Sequence, residues 1–267
     1  MSNLVDGKKI RDEILAHLKQ NFDSVGGAVL GVVWVGDDPA TAKFVGQKQK
    51  FAQAAGVDLR LFEYGLDISQ EGLEQQLNRL ALDTEISGII VQLPLPERID
   101  PQKIIDLIPA EKDVDALGGE ALVLSPVVEA VKEILSRAEI SLSGNKFVVL
   151  GKGKLVGRPV AVWLAQEGTA VEVLDANSQD ITSYLAQADV IISGVGRPST
   201  IKPEMVKDGV VIIDAGTSEQ AGQLAGDADP ACAAKASIFT PVPGGVGPIV
   251  IAMLFQNLWK IFQSTKR

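Results

Sequence analysis

The segment that decides the fold is Lys146–Pro159, which reads KFVVLGKGKLVGRP. Its first five residues have the apolar, β-branched character of a buried strand, and a helical pattern begins at Val156. Glycines occupy the turn between them, at Gly151, Gly153 and Gly157. Glycine permits a tight turn and lets backbone amides approach a pyrophosphate at a helix N-terminus. The segment therefore predicts a dinucleotide-binding loop, although its spacing, G-x-G-x-x-x-G, is one residue longer than the usual fingerprint.

Apolar runs alternate with helical patterns on both sides of this loop. The later runs that predict strands are Ala170–Leu174, Val190–Ser193, Val210–Asp214 and Ile238–Phe239. The earlier ones are Ala28–Val35, Leu59–Phe62 and Gly88–Gln92. The pattern predicts an α/β protein: an N-terminal α/β substrate domain followed by a Rossmann-like, doubly wound dinucleotide-binding domain.

The break at Ser141–Asn145, SLSGN, predicts a domain boundary. Residues 1–141 are expected to form the first domain and residues 142–247 the second. The apolar segment that starts at Pro248 predicts a helix buried on several sides, which we expect to cross back to the first domain as residues 248–267.

The composition excludes several classes of function. The net charge of −9 disfavours nucleic acid and anionic membranes as partners, and the apolar final helix is too short to span a bilayer. The single histidine, His17, rules out a histidine triad or a multi-histidine zinc site, and no metal site is expected. The single cysteine, Cys232, and an N-terminus without an apolar signal segment lead us to expect a cytoplasmic protein.

Four further motifs combine residues suited to ligand binding. They are KFVGQKQK at 43–50, VQLPLP at 91–96, KDVD at 112–115 and TPVPGGVGP at 240–248. Phe44 and Lys48 share a helix face, and Gln92 ends a predicted strand, where α/β proteins gather their ligands. The prolines and glycines of the last motif predict a rigid, low loop that fits against a flat ligand.

Asp175 ends the strand after the glycine loop, 24 residues beyond Gly151. An acid there commonly binds the ribose 2′-hydroxyl of NAD and repels the 2′-phosphate of NADP. The alternative is that Asp175 only begins the turn Asp-Ala-Asn-Ser. Both interpretations remain open, and so does the choice between NAD and NADP, because Lys152 and Lys154 add positive charge nearby.

Together and in this order, these motifs resemble the bifunctional methylenetetrahydrofolate dehydrogenase/cyclohydrolase family. VDGKKI near the start, SGVGRP at 193–198 and VIIDAG at 211–216 extend the resemblance over nearly the whole chain. The resemblance implies oxidation of 5,10-methylenetetrahydrofolate with NAD(P)+, hydrolysis to 10-formyltetrahydrofolate, and a homodimer. It implies that Lys48 is the catalytic lysine, Gln92 its supporting glutamine and Asp115 the pterin anchor.

The resemblance also implies two sets of binding residues. Those expected at the folate are Phe44, Val91, Leu93, Pro94, Ser125, Pro243, Gly244 and Gly245. Those expected at the dinucleotide are Gly151, Lys152, Gly153, Gly157, Arg158, Pro159, Asp175, Gly194, Val195, Gly196, Asp214, Gly216 and Thr217.

The chain departs from the family pattern at several of these positions. Phe44 replaces a tyrosine and lacks the hydroxyl that would bond Lys48, which bears on the hydrolysis step. Ala116 replaces a glycine, and Ala176 lies where a hydroxyl would help to bind a 2′-phosphate. The loop 117–124 is also shorter than usual. Two alternatives to an active folate enzyme therefore remain: a homologue that binds folate or dinucleotide without full turnover, and another two-domain dehydrogenase of the shikimate or amino-acid type.

Overall fold

The computed structural model describes residues 3–175, 177–220 and 223–265. Its strands are β1 Val29–Val35, β2 Asp58–Tyr64, β3 Gly88–Val91, β4 Phe147–Leu150, β5 Val171–Leu174, β6 Val190–Ser193, β7 Val211–Asp214, β8 Ser218–Gln220, β9 Gln223–Ala225 and β10 Ile238–Phe239. Its helices are α1 Gly7–Val25, α2 Pro39–Ala55, α3 Gln70–Leu82, α4 Pro101–Ile105, α5 Pro126–Arg137, α6 Gly157–Gln166, α7 Ile181–Gln187 and α8 Val246–Thr265. The predicted α/β alternation is confirmed, with element ends within a few residues of the predicted ones.

The chain divides into two compact units, one formed by Asp12–Pro126 with Ile251–Arg267 and the other by Met1–Arg11 with Val127–Val250. Helix α8 thus starts in the second unit and ends in the first, in line with the predicted crossing. The contacts group helix α5 with the second unit, whereas the sequence break at 141–145 places it in the first domain. A helix packs against the unit that covers its apolar face. The composition of the linker after α5 does not reveal which of the two units this is.

The first unit contains a parallel sheet in the order β2-β1-β3. The segment after Pro109 runs beside β3, where the Ile89 amide donates to the Lys112 carbonyl at 2.8 Å. Buried aliphatic residues of β1, β3, α3 and α4 form its core. The sheet therefore aligns the end of β3 with the motif at 112–115.

The second unit contains a five-stranded parallel sheet in the order β10-β7-β6-β4-β5. Strand β4, the first of these strands in the chain, lies between the second, β5, and the third, β6. The strand order therefore reverses at β4 and β6, the point at which doubly wound sheets bind ligands outside the carboxyl ends of their strands. The three central strands, β7, β6 and β4, are buried along their length because helices or loops cover both faces of a parallel sheet.

Some helices and strands of the structure are not predicted by the pattern of apolar residues. Helix α4 has five residues, and β8 and β9 form an isolated antiparallel pair of three residues each. Leu4 extends the large sheet through a parallel bridge to Phe239. In the described part of the chain, no helix is long and apolar enough to cross a membrane.

Candidate active site

Helix α2 places Lys48 near the end of β3. The helix begins because the Asp38 carboxylate accepts the Thr41 amide at 2.7 Å and Pro39 occupies its first turn. It ends at Gly56, which adopts the left-handed conformation. Between these caps Phe44 lies one turn before Lys48, with 41% of its surface exposed.

Lys48 and Gln92 are 44 residues apart in the chain and are joined by a hydrogen bond. The Lys48 Nζ donates to the Gln92 Oε1 at 2.7 Å. The Gln92 Nε2 donates to the Leu93 carbonyl at 2.8 Å, which turns Oε1 toward the lysine because only the amide nitrogen can donate. Gln92 is buried, as is Val91 before it. The structure thus brings together two residues that the family resemblance assigns to the site.

The charge environment makes Lys48 an unusual lysine. Burial lowers the pKa of its amine below the ordinary value, and the negative charge of Asp115 opposes part of that fall. Burial raises the pKa of Asp115, which Lys48 opposes and Asp113 reinforces. A lysine whose pKa is lowered holds a larger neutral fraction near pH 7 and can accept a proton.

The two acids of the KDVD motif have different environments. Asp113 is buried, and its Oδ2 accepts the Gly118 amide at 2.8 Å, so it stabilises the turn that follows. Ala116 within that turn has a φ of 53°, in the left-handed region that favours glycine. Asp115 is half-buried and electrostatically coupled to Lys48. Asp113 is a structural residue that the motif alone did not distinguish from Asp115.

Asn257 on helix α8 supports the segments before Asp115 and Ser125. Its side chain is completely buried, and its Nδ2 donates to the Val114 carbonyl at 3.0 Å and the Leu124 carbonyl at 2.8 Å. It therefore joins the KDVD segment, which precedes the short loop 117–124, to the last residue of that loop. Its signal in the sequence is a single amide within an otherwise apolar helix.

Replacing Asn257 with leucine is expected to lower the free energy of unfolding by about 2–4 kcal/mol, because one buried and one partly buried carbonyl lose their donor. Urea unfolding measures this loss. Gln256→Leu, one position earlier on the same helix and partly exposed, is the control and should change stability by less than about 1 kcal/mol. Equal losses in the two variants would contradict the role assigned to Asn257.

Three glycines bring the backbone segments of the dinucleotide loop together. A Cβ on Gly157 would lie 1.9 Å from the Gly151 carbonyl oxygen, and one on Gly151 would lie 2.7 Å from the Gly194 oxygen. A Cβ on Gly194 would lie 2.4 Å from the Val156 side chain. Gly153, by contrast, has open space beside it. The loop after β4, the start of α6 and the loop after β6 thus pack at distances that only glycine allows.

The other residues predicted at the dinucleotide lie at the carboxyl ends of the strands of this sheet or at the start of α6. Arg158 and Pro159 lie in the first turn of α6, whose N-cap residue, Val156, makes no side-chain capping hydrogen bond. Lys152 pairs with Asp175 at 3.0 Å. Gly196 has a φ of 72°, and Thr217 is exposed. Ala176 lies outside the described residues.

Two buried aspartates hold the loops after β6 and β7. Asp227 accepts the Val195 amide at 2.7 Å and the Arg197 amide at 2.9 Å. Asp214 accepts the Gly216 amide at 2.9 Å and the Ala228 amide at 2.8 Å. Both carboxylates are therefore engaged by the protein's own backbone.

Burial raises the pKa of Asp214 to about 6, and the charge of Asp227 contributes to the rise. The fold therefore favours the protonated form, and its stability falls as the pH rises from about 4 to about 6, where only the unfolded chain ionises freely. Asp214→Asn cannot titrate. Its stability relative to the unaltered protein is expected to improve by about 3 kcal/mol between pH 4 and pH 7.

Urea unfolding at a series of pH values measures this difference. Asp189→Asn provides a control of opposite sign, because Lys207 lowers the pKa of Asp189. That variant should become less stable relative to the unaltered protein as the pH rises toward the ordinary aspartate pKa of about 4, with no further change above it. A constant offset between the Asp214→Asn and unaltered proteins at all pH values would contradict the assignment.

The loop 240–247 is a tight turn supported by the N-terminal segment. The Gly245 amide donates to the Pro241 carbonyl at 2.7 Å, and the Gly7 amide donates to the Gly244 carbonyl at 3.0 Å. Gly7 packs so closely that a Cβ would lie 1.8 Å from the Gly245 oxygen. Pro243 at the tip is exposed. The VDGKKI motif therefore includes a glycine, Gly7, that this contact requires. The sequence of the motif does not suggest this role.

Comparisons with known proteins match both halves of the chain. Residues 5–115 match the catalytic domain of tetrahydrofolate dehydrogenase/cyclohydrolase, and residues 125–266 match its NAD(P)-binding domain. A relative from Halothermothrix orenii, "Bifunctional protein FolD", is 38% identical over 97% of this chain and 98% of its own length.

Solved structures agree with this assignment. The bifunctional enzyme FolD from Campylobacter jejuni has a TM-score of 0.94 and 34% identity over 98% of this chain and 99% of its own. The Trypanosoma brucei enzyme, solved with NADP cofactor and an inhibitor, has a TM-score of 0.93 and 30% identity, over 99% and 98% of the two chains. The chain therefore belongs to the tetrahydrofolate dehydrogenase/cyclohydrolase family.

Proposed function

We propose that this protein oxidises 5,10-methylenetetrahydrofolate with NAD(P)+ to the methenyl cation and then hydrolyses that cation to 10-formyltetrahydrofolate. The observation that carries the proposal is the hydrogen bond between Lys48 and Gln92 beside Asp115. Family membership supplies the reaction, and this arrangement supplies groups able to perform it.

Lys48 is the proton-transfer group of the hydrolysis step. Water adds to the methenyl carbon, one of its protons passes to the neutral Lys48 amine, and the carbon–N5 bond breaks as N5 takes up the other. Gln92 holds the amine in position through its Oε1. Asp115 accepts hydrogen bonds from the pterin amino group and ring N–H, for which an ionised carboxylate is a strong acceptor.

The remaining contacts with folate are proposed for the other residues that the family resemblance assigns to it. Phe44 stacks on the pterin from the face of α2 that Lys48 shares. Val91, Leu93 and Pro94 supply contacts from the end of β3. The Ser125 Oγ is buried and has no hydrogen-bond partner among the residues that the structure describes, which suits a contact with substrate. Pro243, Gly244 and Gly245 belong to a tight turn, and the family resemblance assigns them to the folate.

NAD(P)+ fits the glycine loop. The backbone packing at Gly151, Gly157 and Gly194 leaves space beside Gly153, and the amides at the start of α6 favour a pyrophosphate. When bound, NAD(P)+ supplies the acceptor for the hydride that leaves the one-carbon bridge. Asp214 acts by holding Gly216 and Thr217 in place, and Asp227 does the same for Val195.

We further propose that each of the two domains expected from the sequence binds a different ligand. Residues 1–141 with 248–267 bind folate, and residues 142–247 bind the dinucleotide. A homodimer and a cytoplasmic location agree with the family resemblance and with a single buried cysteine.

An absorbance assay tests the proposal. Purified protein is mixed with methylenetetrahydrofolate and NAD+ or NADP+, and methenyl formation and decay are followed against an enzyme-free control. Formation followed by accelerated decay is expected. Formation alone would restrict the function to the dehydrogenase, consistent with the missing tyrosine hydroxyl at Phe44. The absence of formation with both dinucleotides would refute the proposal.

A further inference from the structure

Asp175 lies directly beside the glycine loop. Strands β4 and β5 pair in parallel with Leu150 opposite Leu174, so the residues that follow them are neighbours. The Gly151 amide donates to the Leu174 carbonyl at 2.7 Å. In a doubly wound sheet, the end of the second strand is where the ribose next to the adenine lies. Asp175 is therefore at the position that contacts the 2′ substituent.

The Asp175 carboxylate is held in one orientation by three groups. Its Oδ1 accepts the Asn177 amide at 2.9 Å and lies 3.4 Å from the Ser178 Oγ. Its Oδ2 accepts the Lys152 Nζ at 3.0 Å. Asp175 therefore begins the turn and also presents an acid beside the loop, so the two interpretations of this residue do not exclude each other. The hydrogen bond from Lys152 lowers the pKa of Asp175, so it carries its charge at neutral pH.

The carboxylate can still accept a hydrogen bond from a ligand. An ionised carboxylate offers about four lone-pair sites, and the three contacts leave room for one more. The Asp175 side chain is 39% exposed, so a ribose hydroxyl can reach it. A ribose hydroxyl would donate a hydrogen bond to Asp175 without disturbing the ion pair between Asp175 and Lys152.

A 2′-phosphate would meet a different environment. It carries about −1.5 to −2 charges at neutral pH and would lie against the ionised Asp175. To pair with Lys152, the 2′-phosphate would have to break the ion pair between Lys152 and Asp175. The charge of Asp175 would then no longer be neutralised. Like charges at contact distance disfavour binding even when solvent screens them.

On the basis of the proposed function, we infer that the protein uses NAD+ in preference to NADP+, with Asp175 as the specificity-determining residue and Lys152 as the group that orients it. This choice departs from that of the T. brucei relative, whose structure contains NADP.

The test compares kcat/KM for NAD+ and NADP+ in the methenyl-forming assay. The unaltered protein is expected to favour NAD+ by about 10-fold or more, on the scale of one lost or repelled polar contact. Asp175→Asn keeps an acceptor for the Asn177 amide but removes the charge and releases Lys152. It should raise kcat/KM for NADP+ by about 10-fold and lower that for NAD+ by a smaller factor.

Two further variants complete the design. Lys152→Met should increase the preference for NAD+, because it exposes the charge of Asp175. Asp189→Asn removes the carboxylate of another Asp–Lys pair, one that precedes β6 at the opposite end of the same sheet, and should leave the cofactor ratio unchanged. Equal or better use of NADP+ by the unaltered protein, or an unchanged ratio in Asp175→Asn, would overturn the inference.

The failure of the proposed function is distinguishable from the failure of this inference. If neither dinucleotide supports turnover, the dissociation constants of NAD+ and NADP+ are measured by calorimetry on the same four proteins. A preference for NAD+ that Asp175→Asn removes would support the inference without catalysis. Equal affinities, or tighter binding of NADP+, would refute it.

Discussion

Replacing Lys48 with methionine is expected to slow enzymatic methenyl hydrolysis by about 100-fold or more, the range in which general acid–base groups contribute. Methionine has a similar length but no amine, so the attacking water loses its proton acceptor. Methenyl formation should persist, because hydride transfer depends mainly on how the two reactants are placed. Absorbance growth and decay in one trace measure both steps.

Two variants control this experiment. Lys50→Met removes an exposed lysine from the same helix and should change neither rate by more than about twofold. Lys48→Arg keeps the positive charge but cannot become neutral near pH 7, so it should not restore hydrolysis. Accelerated decay that persists in Lys48→Met would show that another group transfers the proton.

Replacing Gly157 with alanine is expected to destabilise the dinucleotide-binding unit by about 3 kcal/mol or more. The new Cβ would lie 1.9 Å from the Gly151 carbonyl oxygen and 2.5 Å from its carbon. Both atoms belong to the backbone, so helix α6 or the glycine loop must move. Because that movement alters the dinucleotide site, the affinity for NAD(P)+ should also fall by about 10-fold or more.

Gly153→Ala is the matched control for stability in the same loop. Apart from Gly153 and its two chain neighbours, no described residue has a heavy atom within 4 Å of the position where this Cβ would be. Its free energy of unfolding should change by about 1 kcal/mol or less. Similar urea midpoints for the two variants would contradict the packing described at Gly157.

The strands could be predicted closely because parallel strands buried on both faces are continuous apolar runs. Strands β3, β4, β6 and β7 are completely buried along their length. Helix α3 could be predicted because its capping residue is local: Ser69 accepts the Gly72 amide at 3.1 Å. Helix α4 and the strands β8 and β9 are too short for a periodic signal.

The residues of the candidate site also divide into those that could be predicted from the sequence and those that could not. The motifs around Lys48, Gln92 and Asp115 could be found by their resemblance to a family. The roles of Asn257, Asp227 and Gly7 could not, because each contacts residues more than 30 positions away.

By itself, the sequence determined the alternation of strands and helices, the glycine loop after β4 and the membership of a folate enzyme family. These properties depend on local periodicity, on turns that require glycine and on short motifs. The tertiary structure decided that Gln92 holds Lys48, that Asp113 supports a turn while Asp115 acts on the lysine, and that Lys152 orients Asp175. The positions of Asp115 beside β3 and of Asp175 beside the glycine loop depend on parallel pairing, which places residues from distant segments at the same end of a sheet.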